Sequence, residues 1–129
     1  MGLAYPTVES IVLTNILIVA NIRVMKGDRH KVLSYAKLDK VVADVKAERG
    51  GVYDKAANLL VGVAQAHAFG SANRRTAYQV ASDFLTDNGA KMRAQYQKGV
   101  MMGVRERFYI QDEVREWLKG NGIREFRRW

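Results

Sequence analysis

The sequence predicts an all-α protein, a compact bundle of about six helices. Three observations lead there. Proline occurs once among 129 residues, at Pro6, so no later helix is broken by one. Apolar residues recur at three- and four-residue intervals through most of the chain. Glycine or asparagine stands where those periodic runs stop, as at Gly27, Gly50–Gly51 and Asn88–Gly89.

The elements follow in order. A first helix starts at Pro6–Thr7, where Thr7 can cap and Glu9 suits the positive end of the helix dipole. Val8, Ile11, Val12, Ile16 and Val19 form its apolar period, and Lys26–Gly27 ends it. Ser34 caps a second helix, with Leu38, Val41, Val42 and Val45 on one side and a stop at Arg49–Gly50–Gly51. A third is expected from Tyr53 to His67, with Ala56, Leu60, Val63 and His67 on one face. A fourth runs from Asn73 to Asp87, burying Thr76, Ala77, Val80, Ala81, Phe84 and Leu85. A fifth is expected over Arg93–Arg105, and a sixth in "QDEVREWLKG", with Val114, Trp117 and Leu118 turned inward. Ile123–Phe126 is the one stretch with the makings of a short strand, and the closing "REFRRW" reads equally as a loose tail.

Length and composition narrow the function classes. A chain of 129 residues suits a single domain, 1–129, with a basic C-terminal segment at 91–129. That segment holds ten Lys or Arg against five Asp or Glu, and so supplies +5 of the net +8. An anionic partner suits this balance, although a solubilising surface suits it as well. There is no cysteine, which excludes disulfides and thiolate metal sites. The most apolar run, Ile11–Ile22, contains Thr14, Asn15 and Asn21 and is too short and polar for a membrane span. With no sign of a signal peptide, the expected location is cytoplasmic.

The chemistry concentrates in "HAFGSANRRTA", His67 to Ala77. It joins the third helix to the fourth through small residues. The first turn of a helix has N–H groups without acceptors and a partial positive charge, so it attracts phosphate. Gly70, Ser71 and Ala72 let an anion approach the backbone, Asn73 adds an amide, and Arg74 and Arg75 add planar cationic donors. Phe69 is expected to turn inward and anchor the loop. Two arginines in a first turn oppose the helix dipole, which hints at an anion between them. A helix-turn-helix DNA reader is a weaker alternative, because beyond Arg75 the polar face offers only Tyr78, Gln79, Ser82 and Asp83.

At these residues the sequence resembles the Fic/Doc family, and its Doc (death-on-curing) branch in particular. The family motif runs from a histidine through phenylalanine and an acid to Gly-Asn-Gly-Arg in the Fic branch, or Ala-Asn-Lys-Arg in the Doc branch. Here it reads His67, Ala68, Phe69, Gly70, Ser71, Ala72, Asn73, Arg74, Arg75. Weaker likeness extends through "YPTVES", "YDKAANLLVGVAQAH", "FLTDNG" and "QDEVREWL".

The resemblance implies a Fic/Doc-like bundle and a toxin-type transferase. His67 would be the general base, and Ser71, Ala72, Asn73, Arg74 and Arg75 would hold the phosphates of ATP or another NTP. Ala72 with Arg74 is similar to the Doc branch, whose type member phosphorylates a threonine of elongation factor Tu. Phosphoryl transfer to a Ser or Thr hydroxyl of a target protein is therefore expected. AMP transfer of the Fic type is one alternative. The other is a catalytically impaired binding module, since Ser71 stands where the family places its Mg²⁺-binding acid. A hydroxyl is a poor ligand for a hard divalent cation, so Mg²⁺ binding is expected to be weakened. No glutamate is followed by Gly or Asn, as the inhibitory helix of some Fic enzymes requires, so control by a Phd-like antitoxin in trans is implied.

Overall fold

A computed structural model describes residues 2–22 and 30–127. Among them the chain is all-α, with six helices: α1 (Val8–Ile22), α2 (Tyr35–Ala47), α3 (Val52–Ala66), α4 (Asn73–Asp87), α5 (Lys98–Arg105) and α6 (Gln111–Leu118). The expected end of the first helix at Lys26–Gly27, and the last two residues of "REFRRW", lie outside the described residues.

The helix ends follow local chemistry. At the start of α1, Ser10 N–H donates to Thr7 Oγ1 (3.0 Å) and Thr7 N–H to Ser10 Oγ (2.9 Å). Ser34 Oγ accepts from Lys37 N–H and caps α2. Asp54 accepts from Gly51 N–H at the start of α3. Gly89, at φ 78, turns the chain out of α4.

Helix α3 is the central element and packs against α2, α4, α5 and α6, while α1 lies across α4 and α2. Its position follows from its composition. Ala56, Ala57, Leu59, Leu60, Val63 and Ala64 are all buried, so α3 is apolar around most of its circumference. Its small residues admit close neighbours, as where Gly62 meets Val41. Lys55 is also buried, and its ammonium donates to the Glu48 and Val45 carbonyls at the C-terminal end of α2. A cation there suits the negative end of the helix dipole.

Five expectations differ from the structure. In α1, Asn15 is buried with Ile11 and Val19, whereas Ile16 is 39% exposed. Asn15 can sit inside because its amide is fully partnered. Helix α3 stops at Ala66, and His67 takes a left-handed conformation (φ 49, ψ 43), which swings it off the Ala56–Leu60–Val63 face into solvent. Helix α5 begins at Lys98 instead of Arg93. The carbonyls of Lys91 and Ala94 are taken by Tyr53 Oη and Tyr78 Oη, and Arg93 N–H donates to Leu118 O, so tertiary bonds replace helical ones. Ile123–Phe126 forms no strand. Nor is it loose: Tyr109 Oη donates to Arg124 O (2.8 Å), Arg124 pairs with Glu113 (2.6 Å), and Phe126 meets Phe108 edge-on.

Candidate functional site

The junction between α3 and α4 is held from three sides. From within, Asn73 clamps the Phe69 backbone: its Oδ1 accepts from Phe69 N–H (3.1 Å) and its Nδ2 donates to Phe69 O (2.9 Å). From the segment before α2, Leu33 N–H donates to Ala68 O (2.7 Å) and Gly70 N–H to Lys31 O (2.9 Å), around an isolated bridge between Val32 and Phe69. Phe69 itself is 2% exposed, a burial that contributes about 2–3 kcal/mol.

The third support is α1. Asn15 is 0% exposed, and its Nδ2 donates to Ser71 O (3.0 Å) and to Thr76 Oγ1 (3.0 Å). Its Oδ1 lies 2.8 Å from His30 Nδ1. Since both amide hydrogens are used, Oδ1 is the acceptor and His30 Nδ1 carries the proton.

The junction has left-handed residues at both ends, His67 and Ala72 (φ 61). Ala72 occupies the N-cap of α4 and supplies no capping side chain. Among the described residues the first-turn N–H groups therefore have no capping side chain, which leaves them available to an anion.

These residues share one cavity of about 290 Å³. His67, at the end of α3, lines it together with Ser71, Ala72, Asn73, Arg74 and Arg75 at the start of α4. The spacing in the sequence had placed these six together. It had not shown that Val19, Ile22, Tyr96 and Arg105 complete the lining. Tyr96 supports Arg75, whose guanidinium carbon sits 4.5 Å from the ring centroid, a cation–π distance. Tyr78 meets Tyr96 edge-on at 5.4 Å and donates its hydroxyl to Ala94 O, so the platform is itself fixed.

Arg105 arrives through Gln65. That side chain, two residues before His67, donates to Val104 O (2.9 Å) and accepts from Arg107 Nη1 (2.7 Å). The end of α5 is thereby tied to the end of α3. No motif near His67 signals this; the only sequence clue is the excess of cations after residue 91.

Among the described residues no Asp or Glu lines the cavity. Asp83 and Asp87 line a separate one with Tyr5 and Thr7. Among the described residues no group of three or more His, Cys, Asp or Glu is arranged to hold a metal ion. The Ser71 carbonyl already accepts from Asn15. This donor set does not fit Mg²⁺, which prefers carboxylate and phosphate oxygens in octahedral array.

No protein-family model matches the chain. One curated protein, Toxin Doc of Mycolicibacterium smegmatis, is 40% identical over 76 residues. The chain is similar to a Doc toxin. The alignment takes in 54% of this chain and 58% of that relative, so the likeness spans little more than half of either. No helix among the described residues is long and apolar enough to cross a membrane.

Proposed function

We propose that the chain is a Doc-like toxin-type transferase that moves a phosphoryl group from an NTP to a Ser or Thr hydroxyl of a target protein. The observation that carries this reading is the shared cavity of His67 and the α4 amino end. A histidine able to act as a base and a helix start suited to phosphate line the same space. The similarity to Toxin Doc adds independent support.

In this reading the phosphates rest on the first turn of α4 and between Arg74 and Arg75. The target hydroxyl enters beside His67. Its oxygen bonds to the γ-phosphorus as the bond from that phosphorus to the β–γ bridging oxygen breaks. The nucleoside diphosphate leaves with the electron pair, and a ring nitrogen of His67 takes the hydroxyl proton. Positioning and charge stabilisation supply most of the acceleration in such transfers. The target is of the translation-factor class, with elongation factor Tu as the first to try, and a Phd-like antitoxin in trans is the expected control.

Incubation of the protein with γ-labelled ATP and a cell extract tests the reaction. Label should appear on a target protein and fall at least about a hundredfold with His67→Ala. Label from α-labelled ATP instead would identify AMP transfer. No label in either format would leave a phosphate-binding module, the reading that the missing carboxylate favours.

A further inference from the structure

We infer that the cavity binds a chain of two or more phosphoryl groups without a divalent cation, with Arg105 completing a three-arginine cradle in place of the metal. This deepens the proposed function and rests on its reading of the cavity as a phosphate site.

The charge balance of the lining carries the inference. Arg74, Arg75 and Arg105 enter one cavity of about 290 Å³, and among the described residues no carboxylate enters with them. Among the described residues neither Arg74 nor Arg75 makes an ion pair with an acid. Arg75 is held instead by the Tyr96 ring, which leaves the edge of its guanidinium available to an anion. Arg105 has an acidic neighbour, Glu106, at 3.4 Å, with both side chains 38% exposed. An exposed pair of that length is weak, and a phosphate can replace the carboxylate.

A divalent cation in a nucleotide site cancels phosphate charge and needs oxygen ligands to stay there. Among the described residues the cavity offers three positive charges and the amino end of α4, and no carboxylate ligand. Each guanidinium is a planar fork that matches two phosphate oxygens. Three such forks and the amino end of α4, spread around one cavity, can engage more than one phosphate, so a ligand with several phosphates in sequence uses them more fully than a single phosphate does. The tie from Gln65 to Val104 and Arg107 holds the end of α5 that carries Arg105 before ligand arrives, which leaves only the Arg105 side chain to be ordered on binding.

Calorimetric titration of the full chain tests this, with the non-hydrolysable ATP analogue AMP-PNP as the probe, in excess EDTA and again in excess Mg²⁺. The expected result is binding in EDTA with a Kd that Mg²⁺ changes by less than about threefold. AMP should bind at least about tenfold more weakly than AMP-PNP, and Arg105→Gln should weaken AMP-PNP binding about tenfold. Binding seen only with Mg²⁺ would overturn the inference and leave the phosphate site standing. Equal affinity for AMP and AMP-PNP, or an Arg105→Gln protein that binds like its parent, would overturn it too. No binding under either condition would remove the phosphate reading and the inference together.

Discussion

The Asn15 amide donates to the Ser71 carbonyl across 3.0 Å, joining residues 56 apart in sequence. The same amide reaches Thr76 in the first turns of α4, so one buried side chain positions both the loop and the helix that follows. Helix α1 lies outside the α3–α4 junction, yet its Asn15 helps to set where Ser71 and the start of α4 stand.

Asn15→Leu should therefore cost more than a lost contact. It leaves the Ser71 carbonyl, the Thr76 hydroxyl and His30 Nδ1 without their partner. Unsatisfied buried groups cost about 1–3 kcal/mol each, and some regain water, so a loss of about 3 kcal/mol is expected. Urea unfolding measures it. Stability equal to that of the parent would show that the network does not form.

Ala72→Gly should stabilise the fold. Alanine at φ 61 carries a left-handed penalty of about 1–2 kcal/mol, which glycine avoids. Glycine gives back about 0.4–1 kcal/mol through the freer unfolded chain. A rise in Tm of about 2 °C is expected by thermal melting. A fall would mean that Ala72 is relaxed where it is.

Ser71→Asp should restore metal dependence. A carboxylate placed among the arginines repels phosphate, so AMP-PNP affinity in EDTA should fall about tenfold. Mg²⁺ should recover it, because a carboxylate is the hard oxygen ligand absent from the cavity's described lining. Calorimetry with and without EDTA reads both arms. An S71D protein indifferent to Mg²⁺ would show that position 71 cannot reach a phosphate-bound ion.

The tie between α3 and α6 should appear in the pH profile of stability. The Arg115 hydrogen bond holds the Asp54 carboxyl below the usual aspartate range; desolvation opposes this, and the Gly51 N–H reinforces it. A carboxyl lowered in the folded state stabilises above its unfolded pKa of about 3.9 and loses that contribution as pH falls through the folded value. Arg115→Gln should lower Tm by a few degrees at neutral pH, and the gap should close as pH falls below about 4. A gap that persists in acid would place the effect in packing.

Part of this arrangement is legible in residue order. The inward face of α4, from Thr76 to Leu85, follows from a four-residue period and matches the buried set. The stop at Asn88–Gly89 and the caps at Thr7 and Ser34 are equally local, because each needs only neighbours within about one turn. The start of α5 is not legible, since Tyr53 and Tyr78 reach the 91–94 carbonyls from other helices.

The sequence by itself determined an all-helical chain and a phosphate-friendly junction with a histidine, two arginines and a serine at position 71. Those are properties of neighbouring residues, set by turn geometry and side-chain type. Only the tertiary structure decided that Asn15 is interior, that His67 leaves its helix face, and that Arg105 and Tyr96 reach the same cavity. The physical reason is common to all three. A buried amide, a left-handed residue and a converging cation each depend on partners that folding brings from distant parts of the chain, and no periodicity encodes a partner.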